Sequence, residues 1–140
     1  MEIEIIDPDP LADTSLFQPA LELVLSEEEL VCDYINIVFM TSDDLRALKN
    51  EYFNLDVYTD VISFNLNDPG DALEGELYLC FEQISLNATK FKTNSTQELY
   101  RVLVHGCLHL CGYEDDTSEK KETMTSLENK YLNMLKIVEC

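Results

Sequence analysis

Residues 95–115 read STQELYRVLVHGCLHLCGYED. Ser95-Thr96-Gln97-Glu98 fits a capping box, with Ser95 as N-cap and Glu98 at the third helical position. Leu99, Val102, Leu103 and Cys107 then form an apolar stripe at helical spacing. Gly112 closes the helix as a left-handed C-cap. This is the best-specified element of the chain, and the remaining elements are read outward from it.

Upstream, about Phe81 to Lys90 reads as a helix, preceded by short strands at Glu76 to Cys80 and Val61 to Phe64. Thr41 or Ser42 caps a helix through Leu45, Leu48 and Tyr52. Tyr34 to Met40 is strand-like in its β-branched and aromatic content. Asp13 or Thr14 can cap a first helix running through Leu16, Ala20, Leu23, Val24 and Leu30, and Met1 to Ile6 alternates weakly as a strand. Downstream, Asp116 or Thr117 caps a last helix from about Ser118 to Ile137. Strands and helices alternate without a linker or repeat. The expected fold is α+β: one domain over residues 1–140, a mixed sheet of about four strands and about five helices, one of them a zincin-like metal helix.

The chemistry concentrates in H-G-C-L-H-L-C-G-Y-E-D, residues 105–115. The chain has two histidines, and both are here. Four residues apart on a helix, they lie roughly 40° apart around the axis, so both rings face the same way. A third ligand has to come from a chain reversal. Gly112 follows His109 by three residues, and Asp115 follows Gly112 by three. This spacing of ligands and glycine is that of the metzincin zinc motif. Two histidines and a carboxylate make a catalytic zinc shell that leaves a position for water. The zinc peptidases carry a glutamate base directly after the first histidine; here that position is Gly106, which removes the base a peptidase requires. The same residues are also compatible with a histidine pair that holds nothing, a simple helix cap and a solvated acidic loop. Cys107 and Cys111 lie roughly 120–160° from the histidine face and are expected in the core.

Composition sets further limits. Five cysteines, an odd number at irregular spacing, point to reduced thiols and not to a disulfide framework. No apolar run approaches the roughly 18 residues of a membrane span, and the acidic N-terminus lacks a positive leader, so a cytoplasmic protein without anchor is expected. The net charge of −19 argues against tight binding of free RNA. The charge is uneven, however. Between Gln83 and Tyr113 the only acid is Glu98, against Lys90, Lys92 and Arg101.

Residues 105–115 resemble the signature of the YbeY family, H-G-x-L-H-L-x-G-Y-D-H, at every fixed position except the last two. Leu48 to Phe64 is similar to that family's segment ending T-[DN]-V-L-S-F, and Gly75 to Cys80 to its G-D-[IL]-x-[IL]-S strand. The resemblance implies a mixed α/β fold with one bound Zn2+, held by His105, His109 and Asp115. It also implies a single-strand-specific endoribonuclease acting in rRNA maturation, chiefly at the 3′ end of small-subunit rRNA, and in ribosome quality control. RNA would then be the substrate, with small-subunit ribosomal proteins or a ribosome-associated GTPase as partners and no membrane. The third ligand position is His in the common pattern and Asp115 here. The family's functionally important Arg has its place at Phe53, which cannot clamp a phosphate. Arg101, one turn before His105, is a candidate substitute, or equally a surface helix charge. Glu114 and Asp116 are candidates for a proton shuttle, each with a bland role as turn residue or helix cap. Thr59, Asp60 and Ser63 are candidates for lining the cleft, and Asp60 equally for orienting a ligating histidine or for a structural turn. The competing reading is a non-catalytic ribosome-biogenesis adaptor with a structural zinc; a metallopeptidase is the weakest.

Overall fold

The computed structural model describes residues 1–137. The elements are β1 (Glu2–Ile6), α1 (Phe17–Glu27), β2 (Cys32–Phe39), α2 (Ser42–Phe53), β3 (Val61–Asn65), β4 (Leu73–Leu79), α3 (Phe81–Lys90), α4 (Ser95–Leu110) and α5 (Ser118–Met134). The fold is α+β, with five helices and one four-stranded mixed sheet among the described residues. The strand order is β1-β2-β4-β3: β1 and β4 run parallel to β2, and β3 returns antiparallel along β4 as an edge strand.

Alternation along the strands divides the sheet into two faces. Ile35, Ile37 and Phe39 of β2 and Leu73, Leu77 and Leu79 of β4 point to one side, where they meet α1, α4 and α5 in the main core. Leu99, Leu103, Val104, Cys107 and Leu108 of α4 are fully buried there, which makes α4 the central helix. On the other face α2 packs Leu45 against Ile62 and Cys80.

The structure corrects two caps. The N-cap of α4 is Asn94, whose side chain accepts the Gln97 N–H at 2.8 Å. Asn caps as well as Ser, and the shift by one residue moves Glu98 out of the capping box and into the interior, where it is 5% exposed. Helix α1 has no side-chain cap. Asp13 instead accepts from the Ser15 N–H and hydroxyl ahead of the helix, and the Leu16 N–H donates to the Tyr100 hydroxyl at 2.9 Å. It also stops at Glu27, short of the expected Leu30, and Glu29 turns away with φ of 58°. Thr41 and Thr117 cap α2 and α5 through the Asp44 and Lys120 N–H groups.

Cys32, Cys80, Cys107 and Cys111 are free thiols, with Cys80 and Cys107 buried. Cys140 lies outside the described residues. No described helix is long and apolar enough to cross a membrane.

Candidate metal centre

Two features of α4 set up the centre. The first is its close approach to the sheet. A Cβ at Gly106 would stand 3.0 Å from Leu77 Cδ2 and 3.2 Å from both Ser63 Oγ and Val61 Cγ2, so only glycine lets α4 lie this near β3 and β4. The Ser63 hydroxyl donates to the Gly106 carbonyl at 3.0 Å, and Asn65 Nδ2 donates to the Leu110 carbonyl at 2.9 Å. Position 106 therefore has no room for the glutamate of a zinc peptidase. The second feature is the end of the helix. Gly112 takes φ of 103°, a region costly for any residue with a Cβ. The Gly112 N–H bonds the His109 carbonyl and the Tyr113 N–H the Leu108 carbonyl, the paired bonds of a Schellman motif. The chain is thereby folded back over its own last turn, and Asp115 arrives above the histidines.

The result is a triangle of donor atoms. His105 Nε2 and His109 Nε2 are 3.0 Å apart, and Asp115 Oδ2 lies 3.4 and 3.5 Å from them. The other ring nitrogens are already engaged. His109 Nδ1 lies 2.9 Å from the Tyr113 carbonyl, which can only accept, so Nδ1 carries the proton. His105 Nδ1 lies 2.6 Å from Glu128 Oε2, likewise an acceptor. In the neutral rings both Nε2 atoms therefore present lone pairs, toward each other and toward a carboxylate. Three converging lone pairs repel unless a cation sits among them. Ligands held tetrahedrally at about 2.0–2.1 Å from zinc stand roughly 3.3 Å from one another, close to the three edges found. The donor set fits a divalent ion. Electrostatics points the same way. Burial depresses the His105 pKa, but the Glu128 hydrogen bond and the charges of Glu128, Asp115 and Asp60 outweigh it and raise the pKa above that of a free imidazole.

The triangle opens into a cleft of about 490 Å³ lined by α2, β3 and the turn after α4. Thr59, Asp60, Ser63 and Glu114 all line it. Asp60 does not hold a histidine. Its Oδ2 accepts from Asn87 Nδ2 at 3.1 Å, and burial raises its pKa. The carboxylate that orients His105 is Glu128 of α5. Arg101 also faces away from the cleft, its fork spent on Glu128 Oε1 at 3.0 Å and Asn129 Oδ1 at 2.8 Å. Asp116 is exposed and paired with Lys120 at 3.2 Å.

Glu128 escaped sequence reasoning because it is one acid among 28. The available signal was its place in a buried stripe, Met124, Glu128, Tyr131 and Leu132, spaced as the inner face of a helix. Lys49 was missed as well; it lines the cleft one turn before Phe53.

The similarity to known proteins extends over most of the chain. A protein of Chloroherpeton thalassium named Endoribonuclease YbeY is 39% identical over 116 residues, covering 83% of this chain and 82% of its own. One of the same name from Flavobacterium psychrophilum is 34% identical over 132 residues, 94% of this chain and 93% of its own. The solution structure of TM1509 from Thermotoga maritima shares the fold, with a TM-score of 0.66 at 24% identity over 96% of this chain and 91% of that one. The family model described as Endoribonuclease YbeY matches residues 5–136, which include every element that builds the triangle. The chain belongs to the YbeY family.

Proposed function

We propose that this protein is a metal-dependent endoribonuclease that hydrolyses single-stranded RNA in rRNA maturation, with one Zn2+ held by His105, His109 and Asp115. The observation that carries this reading is the triangle of lone pairs at the foot of an open cleft. Names of relatives over most of the chain supply the substrate class. When bound, the ion supplies Lewis-acid polarisation of a phosphoryl oxygen and a water acidic enough to attack at neutral pH. The protein's own residues do the rest. Glu128 and the Tyr113 carbonyl fix the two rings by their Nδ1 protons and leave Nε2 to the ion. Glu114 is the cleft carboxylate without a hydrogen-bond or ion-pair partner among the described residues, and it is the group we assign to taking a proton from the attacking water. The finer assignments are the 3′ end of small-subunit rRNA, ribosome quality control, small-subunit proteins or a GTPase as partners, and a cytoplasmic setting. They rest on the family resemblance.

The test is metal analysis of untagged protein together with cleavage of single-stranded and duplex RNA. We expect about one zinc per chain and cleavage of the single strand. His105→Ala should abolish cleavage while the far-UV circular dichroism spectrum is retained. The net charge of −19 favours the second reading, an adaptor whose acidic surface meets basic proteins. That reading prevails if wild-type protein loaded with zinc leaves RNA intact and His105→Ala unfolds the chain.

A further inference from the structure

The cleft is an unfavourable place for RNA. It is lined by the carboxylates of Asp60, Glu114 and Asp115, in a chain with 28 acids and 9 bases. A phosphodiester brought there meets repulsion that one divalent ion offsets only locally. Among the lining residues a single Lys or Arg is present, Lys49. Its setting differs from that of the ion-paired cations, and Lys90 and Lys130, which also face aromatic rings, do not line the cleft. Arg46 is paired with Asp56, Lys120 with Asp116 and Arg101 with Glu128. Lys49, half-buried, has no carboxylate partner among the described residues; its ammonium stands 4.6 Å from the centroid of the Phe53 ring, one helical turn further along α2.

An aromatic partner matters because a ring attracts an ammonium without neutralising it, whereas a carboxylate would cancel its charge. The ring itself is 44% exposed but packed on one side. Phe53 stacks on Phe64 of β3 with centroids 6.0 Å apart and planes at 17°, and Phe64 packs edge-on against Tyr52 and Tyr78. A long, flexible side chain is thus held at the cleft with its charge available to an anion.

We infer that Lys49 is a substrate-binding residue whose ammonium takes a phosphate of single-stranded RNA, and that Phe53 is the positioning residue that keeps it in the cleft. This rests on the reading of the cleft as an RNA-cleaving site.

The experiment measures initial rates of zinc-loaded protein on a labelled single-stranded RNA at several salt concentrations, for wild type, Lys49→Gln, Lys49→Arg, Phe53→Leu and Lys121→Ala. The last removes an equal charge from the exposed face of α5. Lys49→Gln should raise KM about five- to tenfold with kcat within about twofold, the loss of one charge-assisted contact. Its dependence of log(kcat/KM) on log salt should be shallower by about 0.7, one phosphate contact fewer. Lys49→Arg should stay near wild type. Phe53→Leu should raise KM about two- to threefold, the value of an exposed cation–π contact, with the salt slope kept. Equality of Lys49→Gln with Lys121→Ala overturns the inference, as does a loss confined to kcat. If wild type cleaves nothing, the proposed function has failed separately. Fluorescence anisotropy of the same RNA in excess chelator then decides: about fivefold weaker binding by Lys49→Gln than by Lys121→Ala supports Lys49, and equal binding overturns it.

Discussion

The two imidazoles of the centre are held by two different regions. His109 leans on the turn that directly follows its own helix, through the Tyr113 carbonyl. His105 leans on the middle of α5, through the Glu128 carboxylate 23 residues downstream. The first support is backbone, which no substitution deletes outright and which depends on Gly112 to be in place. The second is a side chain, itself held by Arg101. A pair of imidazoles that could hold a metal is thus aligned with one ring anchored by local chain geometry and the other by tertiary packing. The second anchor is the more exposed to single mutations.

The sharpest break of this comparison is Glu128→Ala. It should lower zinc affinity about 10- to 100-fold, as loss of a carboxylate behind a ligating histidine does. Competition against a chromophoric chelator reads this directly, and wild-type affinity would mean that α5 is no anchor. Next comes the turn. Gly112→Ala forces a Cβ into φ of 103° and should cost about 1–2 kcal/mol, lowering Tm by roughly 3–6 °C in a chain of this size. A Tm unchanged within 1 °C on the order of measurement error would show that the turn is not held by that residue.

A smaller effect concerns Glu98, which lies beside the Arg101–Glu128 pair on the α5 side. Burial, with Asp60 and Glu128 adding to it against Arg101 and His105, pushes its pKa up to about 7 from an ordinary 4.5. The folded chain then binds this proton more tightly than the unfolded chain. Its contribution to stability is complete below pH 4.5 and is lost as the pH rises toward 7. A groove of about 910 Å³ next to it admits water, so the loss should be on the order of 1 kcal/mol. Glu98→Gln should flatten that part of the stability–pH curve in urea titrations, and an unchanged slope would place the carboxylate in ordinary solvent. The smallest effect is expected for Arg101→Gln, about a two- to fivefold drop in zinc affinity through a looser Glu128. A drop as large as that of Glu128→Ala would make the guanidinium, and not the carboxylate, the decisive support.

The same contrast explains what could be read in the sequence. The turn side is local: two histidines, a glycine and an aspartate within eleven residues, each spacing dictated by helix geometry, so the convergence of Asp115 on the rings follows from the chain itself. The element list and the caps at Thr41 and Thr117 are equally local. The α5 side is not. Nothing near Glu128 in sequence distinguishes it from Glu122 or Glu119 except its phase on a weakly amphipathic helix. Asp60, a candidate for orienting a histidine or for a structural turn, bonds Asn87 of α3. Arg101, one turn before His105, does share its helix face, but its guanidinium is taken up by Glu128 and Asn129 of α5, which four-residue spacing alone does not reveal. The misplaced cap at Ser95 reflects two adjacent residues of nearly equal capping strength, which only packing of the following turn could decide. Lys49 needed the fold, because its relation to the cleft passes through α2 and β3.

One carboxylate joins both regions. Glu28, just past the end of α1, accepts the Tyr113 hydroxyl at 2.6 Å and the Tyr131 hydroxyl as well, partners 85 and 103 residues away. A growing chain makes this acceptor first and must add 85 and then 103 residues before the two phenols can reach it. The histidines, the turn and the aspartate can all have emerged while α5, and with it the tether on His105, is still absent. A chain that has not yet added α5 would hold the ligands without the frame that aligns them, so the centre should mature only once α5 has docked, and an ion captured before then would find loose donors.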